Sequence, residues 1–149
     1  MDVSTNNLYF EHSLLIQVSL YLKGKNLIPE AITEKTNIQP DITALCGTKK
    51  VPGRENSAVY KTSIWGIRVI SRESPSECIR SFLRKIKGSE IFFANAPGID
   101  EAYIDFFYSK AVDIDQLNDA VEFEFESDLL EGLKKIGVPV RFTISNIKR

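Results

Sequence analysis

The sequence predicts an α+β fold, a two-layer sandwich in which about three helices cover one face of a mostly antiparallel sheet of five to six strands. Its 149 residues are 43% hydrophobic and 26% charged, which is the size and composition of a single globular domain. In several segments apolar residues alternate with polar ones, as in strands with one buried and one wet face. Proline and glycine bound short segments of helical spacing between these strands. These observations predict two packed layers around one core.

The first strand and the first helix follow a polar start. Residues 1–12 are expected to form a flexible lead-in, followed by one α+β domain at residues 13–149. A strand begins near residue 14, where every second residue is apolar. Pro29 suits the first position of a short helix, and Pro40 prevents its extension. The apolar face of the strand consists of Leu14, Ile16, Val18, Leu20 and Leu22.

A long polar connection separates the first helix from the second strand. Residues 41–57 have no regular periodicity, and a loop of this length in a small domain is expected to be mobile or functional. The second strand is predicted at residues 59–71. Trp65, Ile67 and Val69 share one face of it. We expect that face to lie in the core, with the tryptophan as its anchor.

The second helix has the clearest signals in the chain. Ser74 suits the N-cap, Pro75 the first helical position and Glu77 the third position of a capping box. Apolar residues then recur at helical spacing as far as Ile86, and Gly88 suits a left-handed cap at the C-terminal end. A helix is therefore predicted from residue 75 to just before this glycine.

Three further strands are predicted between this helix and the next. Residues 91–94 form a short apolar run that a proline and a glycine interrupt. Residues 102–108 and 121–126 alternate between apolar or aromatic residues and polar ones, which is typical of strands with one wet face. Strands of this kind favour an antiparallel sheet.

A third helix and a last strand complete the predicted fold. Ser127 is expected to cap the helix, and Gly137 to close it. The last strand is predicted at residues 138–145. The order of elements is then β-α-β-α-β-β-β-α-β. The residues expected to be buried on the last strand are Val140, Phe142 and Ile144.

The charge of the chain is concentrated in one region. Residues 98–131 contain eleven carboxylates and one lysine, which gives a local net charge of −10 in a protein whose total net charge is −1. The remaining 18 cations and 9 carboxylates give the rest of the chain a net charge of +9. A concentrated field steers association with partners of opposite charge. The carboxylates are Asp100, Glu101, Asp105, Asp113, Asp115, Asp119, Glu122, Glu124, Glu126, Asp128 and Glu131.

This acidic region is predicted to bind a partner protein. Three glutamates of residues 121–126 would form a row on the outer face of a strand, with an aspartate cluster on the preceding loop. Solvation alone also explains the row, and both interpretations stay open. Aromatic residues beside carboxylates are typical of interface hot spots. The predicted partner-binding residues are Asp113, Asp115, Asp119, Glu122, Glu124, Glu126, Tyr103 and Phe107.

The sequence contains no recognisable catalytic motif, and a non-enzymatic protein is predicted. His12 is the only histidine, and its place in the polar lead-in gives no support to a catalytic triad. Cys46 and Cys78 are 32 positions apart, which favours reduced thiols in a cytosolic protein. Neither a phosphate-binding nor a dinucleotide-binding glycine motif is present, so no cofactor is predicted.

Part of the acidic region has the spacing of a calcium-binding loop. Asp113, Asp115 and Glu124 match its first, third and twelfth positions. However, Leu117 and Asn118 occupy the fifth and sixth positions, where an oxygen ligand and a glycine are needed. No metal site is therefore predicted.

Two other classes of function stay open. A carboxylate pair in a pocket near the long loop could serve a small enzyme or a ligand-binding domain, since such pairs support acid–base and metal chemistry. Cations on the second helix could bind nucleic acid, but a nucleic-acid partner is not expected for a chain that is acidic overall. These cations are Arg80, Arg84, Lys85 and Lys87.

The location predicted for the protein is the cytoplasm. No apolar run approaches the roughly 20 residues of a membrane helix, so no membrane partner is expected. The first ten residues lack the basic start and the long apolar segment of a signal peptide.

Three segments carry a family resemblance. They are residues 27–33, Leu-Ile-Pro-Glu-Ala-Ile-Thr, leading into residues 37–40; residues 60–65, Tyr-Lys-Thr-Ser-Ile-Trp, followed by the helix after Ser74; and the closing helix and strand from residue 129 to residue 144. Together they resemble the bacterial family named domain of unknown function 4279, over residues 14–145. The chain departs from the family pattern after Pro40, where an arginine and a tryptophan are often found, and in the acidic insertion at residues 113–119.

The resemblance implies a small cytosolic α+β domain without known catalysis. Small bacterial proteins of this sort are often found beside polymorphic toxins, and several immunity proteins have a similar size and composition. An immunity protein of contact-dependent growth inhibition type is therefore expected. Its partner would be a cognate toxin that is basic, for example a nuclease with a cationic phosphate-binding site.

Overall fold

The computed structural model describes residues 14–148, so the predicted lead-in and His12 lie outside the described residues. The described chain contains five strands and three α-helices. In chain order these are β1 (Leu14–Gly24), α1 (Pro29–Thr36), β2 (Ile42–Ala44), β3 (Ser63–Ser71), α2 (Pro75–Lys85), β4 (Glu101–Val112), α3 (Ser127–Ile136) and β5 (Val140–Lys148). Two short 3-10 helices, Glu90–Asn95 and Ile114–Gln116, lie before and after β4.

The five strands form one sheet in the order β2-β3-β1-β4-β5. The central strand β1 pairs antiparallel with β3 and β4, and β2 pairs antiparallel with β3. β5 pairs parallel with β4, since α3 carries the chain back along the sheet between these two strands. The α+β class and the mostly antiparallel sheet are therefore confirmed.

The core lies between the sheet and the helices. The alternation of apolar and polar residues predicted β1, the central strand of the sheet, correctly. Trp65 is fully buried, and its ring centre lies 5.8 Å from that of Phe93. Its Nε1 donates a hydrogen bond of 3.0 Å to Thr33 Oγ1, which fixes α1 to β3. The other fully buried large side chains are Ile16, Leu20, Leu22, Ile32, Ile67, Ile79, Phe82, Ile86, Ile104 and Phe106.

The second predicted helix is confirmed as α2, including its start. The Ser74 hydroxyl accepts a hydrogen bond of 3.3 Å from the Glu77 N–H, which satisfies one of the free donors of the first turn. The Glu77 carboxylate pairs with Arg80 at 2.8 Å, one turn further along the helix. Gly88 follows the helix with a φ of +92°, the left-handed conformation for which glycine was expected.

The strand predicted at residues 91–94 is wrong, because Glu90–Asn95 forms a 3-10 helix. Phe93 is fully buried and stacks on Trp65, whereas Ile91 is 71% exposed. The helical turn directs the Phe93 ring into the core, where it stacks on Trp65, and it needs no pairing with a strand. Short apolar runs do not distinguish these two conformations by periodicity.

The long connection at residues 41–57 is more ordered than predicted. Its start forms β2, which pairs with β3, and Lys49 forms an isolated bridge with Val59. Consequently β3 begins at Ser63 instead of at residue 59. The segment is a long hairpin whose base belongs to the sheet, and three paired residues in β2 were too few for a periodic signal.

The strand predicted at residues 121–126 is also wrong, since these residues form no regular element. The alternation is nevertheless real, because Phe123 and Phe125 pack against the core while the glutamates between them are exposed. One-sided burial produced the period-two pattern without strand pairing. The following helix begins at Ser127 with Glu126 in the N-cap position, one residue earlier than the predicted serine cap requires.

The last strand was predicted correctly in type but not in burial. β5 lies at the edge of the sheet, and Val140 is only partly buried. Phe142 is 54% exposed and Ile144 is 46% exposed, so the expectation that they lie in the core is wrong. An edge strand has a neighbouring strand on one side only, so its side chains are less covered than those of a central strand.

The two cysteines lie in opposite environments. Cys78 is buried in α2, and its Sγ is 3.4 Å from the Val69 carbonyl oxygen of β3. Burial raises the pKa of the Cys78 thiol to about 11, since a thiolate is poorly solvated there. Cys46 is exposed in the long hairpin. The two are free thiols, as predicted.

We expect the stability of the protein to fall at alkaline pH because of Cys78. Its folded pKa lies above the unfolded value of about 8.5, so the folded state binds the thiol proton more tightly. This contribution to the free energy of unfolding is complete below about pH 8.5 and is lost as the pH rises toward 11. Urea unfolding at several pH values measures the fall, and Cys78→Ala should make it shallower. Equal slopes in the two proteins would contradict the assignment.

Candidate functional site

The predicted acidic surface begins where β4 ends. Asp113 follows the strand and precedes the 3-10 helix Ile114–Gln116. Its N–H donates to Gln116 Oε1 at 3.4 Å, and the Gln116 N–H donates back to the Asp113 carbonyl at 2.9 Å. Asp115 and Asp119 are exposed around this turn. The aspartate cluster is therefore held on a defined turn beside the last residues of β4.

Residues 119–124 are anchored although they form no strand. The Asn146 side chain of β5 donates to the Asp119 carbonyl at 3.3 Å, and the Ser76 hydroxyl of α2 donates to the Glu124 carbonyl at 3.3 Å. Phe123 stacks on Tyr108 with ring centres 5.6 Å apart. With the aromatic ring directed inward, Glu122 and Glu124 point to solvent.

Unlike Glu122 and Glu124, Glu126 forms an ion pair with another described residue. Arg80 of α2 contacts Glu77 and Glu126 at 2.8 Å each. The hydrogen bonds that the Arg80 guanidinium donates to Glu77 and Glu126 raise its pKa, so it stays charged. Glu126 thereby joins residues 113–126, here called the acidic segment, to α2, and it shares the single charge of Arg80 with Glu77.

Four predicted carboxylates remain exposed and make no ion pair with any residue of the range 14–148. They are Asp115, Asp119, Glu122 and Glu124. Their charge is available to a partner, because neither an internal cation nor burial compensates it.

Tyr103 and Phe107 lie on the other face of the sheet. Along β4 they alternate with Phe106 and Tyr108, whose side chains face the core and Phe123. Tyr103 is only 8% exposed, since the Arg141 guanidinium lies 3.7 Å from its ring centre and Tyr21 packs beside it at 5.5 Å. The structure does not bring these two aromatics together with the carboxylates of residues 119–124.

Two apolar residues that were expected in the core lie beside the acidic segment instead. The rings of Phe123, Phe125 and Phe142 all lie 5.4 to 5.5 Å from that of Phe106. Phe142 and Ile144 project on this side of β5 and are exposed. We call Asp119, Glu122, Glu124, Phe142 and Ile144 the acidic edge surface. The three carboxylates of this surface were predicted from the sequence, but its two apolar residues were not, because the exposure of β5 depends on its place in the sheet.

Two cavities are candidate sites for the alternative function, an enzyme or ligand-binding domain that uses a carboxylate pair. Asp119, Glu122 and Lys110 line a cavity of about 240 Å³, which is below the roughly 300 Å³ of the smallest common ligand pockets. A wider groove of about 860 Å³ lies between α1 and the long hairpin. It is lined by Glu30, Glu34, Lys49 and Lys50 among others, and a small-ligand function would be located there.

The cations of α2 are partly engaged within the molecule. Lys85 pairs with Asp41 at 3.0 Å, and Arg80 is held by its two glutamates. Partial burial favours the neutral Asp41 carboxyl, but hydrogen bonds from Lys85 and from the Arg68 N–H outweigh it and lower the pKa of Asp41. Arg84 donates to Ser81. These contacts weaken the nucleic-acid alternative, since Arg80 and Lys85 already have anionic partners.

Within residues 14–148 no group of three or more potential ligand side chains is placed to hold a metal ion. In that same range no helix has the length and apolar character needed to cross a membrane. Comparisons with family models, curated proteins and solved structures found no significant match. The family resemblance stays a prediction.

Proposed function

We propose that this protein is a non-enzymatic immunity protein that binds and neutralises a basic bacterial toxin domain through its acidic edge surface. One observation carries the proposal: unpaired, exposed carboxylates lie next to exposed apolar side chains on an anchored part of the fold. Asp119, Glu122 and Glu124 supply the charge, and Phe142 and Ile144 supply the apolar contact.

The two parts of this surface have different roles in binding. Uncompensated carboxylates attract a cationic partner over several ångströms and raise the association rate, an effect that salt screens. Exposed apolar side chains in the contact region slow dissociation once they are desolvated. In this proposal Phe142 and Ile144 replace Tyr103 and Phe107 as apolar anchors, because the latter two lie on the opposite face.

The class of partner follows from charge and from the family resemblance. A toxin that acts on nucleic acid needs cations at its phosphate-binding site, and an acidic protein bound there would occlude it. The resemblance to domain of unknown function 4279 further implies that the protein acts in the cytoplasm, where it would protect its own cell. Growth inhibition between neighbouring bacteria is the type of system proposed.

Reversing the charge of Glu122 and Glu124 together is expected to slow association with the toxin. The double variant Glu122→Lys/Glu124→Lys should lower the association rate at low salt by about tenfold or more, a size typical of electrostatically steered complexes. Stopped-flow measurement of binding to the cognate toxin domain tests it. The matched control is Glu55→Lys/Glu73→Lys, which makes the same charge change at two exposed residues outside the acidic edge surface.

The control separates a local effect from the change in net charge. If both double variants slow association equally, the overall charge acts and the acidic edge surface has no special role. An unchanged association rate for Glu122→Lys/Glu124→Lys at low salt would contradict the proposed function.

A further inference from the structure

The outer edge of β5 presents free backbone hydrogen-bonding groups. In the parallel pair the Ile104 N–H donates to the Pro139 carbonyl at 2.8 Å. The backbone groups of alternate residues, beginning with Arg141, therefore point toward β4, and those of the residues between them point away. The outward groups are the N–H and C=O of Phe142, Ile144 and Asn146. Within residues 14–148 no strand pairs with this edge.

Charged side chains lie only near the two ends of this edge, at Arg141 and Lys148, and its middle lacks the usual protection against strand addition. β5 is nine residues long, and the residues with outward backbone groups include the exposed Phe142 and Ile144. Edge strands are commonly shortened, bulged, or interrupted by proline or inward charges. The register with β4 runs without a break from Val140 to Lys148. A long, regular and apolar edge is suited to receive another strand.

The charge beside this edge selects the occupant. The Asp119 carbonyl accepts a hydrogen bond from the Asn146 side chain of β5, and Glu122 and Lys110 line the same cavity as that asparagine. Two carboxylates therefore outnumber one cation there. A second copy of the chain on this edge would bring two acidic segments close together, and the like charges would oppose it. Successive side chains of an added strand point to opposite faces of the sheet, and Phe142, Ile144 and the two carboxylates lie on the same face. The matching segment is therefore extended, with apolar and then basic side chains at every second position on that one face.

We propose that the partner binds by adding a strand to β5, with apolar side chains over Phe142 and Ile144 and cationic side chains toward Asp119 and Glu122. This mode of binding rests on the proposed function and specifies its partner as an extended, basic and apolar segment. Backbone hydrogen bonds to the outward groups of Phe142, Ile144 and Asn146 would hold it.

Amide hydrogen exchange tests the strand addition directly. The probe is a capped nine-residue lysine-valine peptide in which every second residue is valine in the first half and lysine in the second half, with threonine between them. In the control peptide glutamate replaces lysine. In the free protein the amides of Phe142, Ile144 and Asn146 should exchange much faster than those of Thr143 and Ser145, which face β4. At a lysine-valine peptide concentration ten times the Kd, exchange at the three outward amides should slow about tenfold.

Variants and a modified peptide separate the contribution of backbone hydrogen bonds to peptide binding from the contribution of side-chain contacts. Ile144→Pro removes one outward N–H but no donor to β4, and it should weaken peptide binding roughly tenfold. The matched variant Ile144→Val keeps both the N–H and an apolar side chain, and it should weaken binding by less than about threefold. A lysine-valine peptide methylated on alternate backbone nitrogens should lose binding to the unchanged protein, a result that does not depend on how well the proline variant folds.

The possible outcomes distinguish the mode of binding from the proposed function. If Glu122→Lys/Glu124→Lys weakens peptide binding but the outward amides stay unprotected and the methylated peptide binds normally, strand addition is wrong while the acidic surface still binds. If neither the charge variants nor the edge variants alter binding, the acidic edge surface itself is wrong. Outward amides that are already protected in the free protein, together with a dimer in sedimentation, would assign the edge to a second copy and overturn the proposal.

Discussion

Replacing Phe106 with alanine is expected to lower the free energy of unfolding by about 3–5 kcal/mol, the usual cost of removing a buried aromatic ring. Phe106 is fully buried and contacts Phe123, Phe125 and Phe142, with ring centres 5.4 to 5.5 Å apart. It joins β4, the acidic segment and β5. Its loss would leave a cavity under all three, and urea unfolding measures the resulting change.

The matched control for this prediction is Phe142→Ala. The same ring is removed, but Phe142 is 54% exposed, so the cost should be about 1 kcal/mol. Phe142 also belongs to the acidic edge surface, and its removal should weaken partner binding while leaving the fold intact. Equal losses of stability in the two variants would show that the aromatic cluster is not centred on Phe106.

Gly98→Ala is expected to lower the free energy of unfolding by roughly 3 kcal/mol or more. Gly98 has a φ of +79°, a conformation that alanine adopts only under strain. In addition, an added Cβ would lie 2.5 Å from the Asn26 carbonyl oxygen and 2.9 Å from the Leu27 nitrogen. Both neighbouring atoms belong to the backbone, so relief would require the turn after β1 to move. Thermal or urea unfolding provides the measurement.

Gly53→Ala separates the two causes of this effect. Gly53 has nearly the same conformation, with a φ of +78°, but no atom within 4 Å of an added Cβ. This control variant should cost about 1 kcal/mol, the backbone term alone. If Gly98→Ala lowers the free energy of unfolding by no more than Gly53→Ala, the close approach of Gly98 to the turn after β1 does not add to the cost.

The elements with complete local signals were predicted from the sequence. Leu14 to Leu22 alternate in a way that only a strand with one buried face explains, and β1 occupies that position. Ser74 and Pro75 fix the start of α2 through interactions within one turn of chain. Pro29 opens α1 in the same manner. These features depend on neighbouring residues, so the sequence contains the whole cause.

The candidate site was only partly predictable. The carboxylates of Asp115, Asp119, Glu122 and Glu124 are exposed, as their density in the sequence suggested. The pairing of Glu126 with Arg80 joins residues 46 positions apart, and no local pattern announces it. Likewise, Tyr103 was expected to be an outward anchor, but Arg141 from the neighbouring strand covers its ring.

The order of residues along the chain is enough to predict which segments have one buried face, where the helices begin and where the negative charge lies. Two features depend on contacts between distant segments: residues 121–126 pack without strand pairing, and β5 lies at an open edge with Phe142 and Ile144 exposed. Periodicity reports one-sided burial along the chain, whereas contacts between distant segments set the number of lateral neighbours of a strand. The acidic edge surface exists because such contacts place β5 beside the acidic segment.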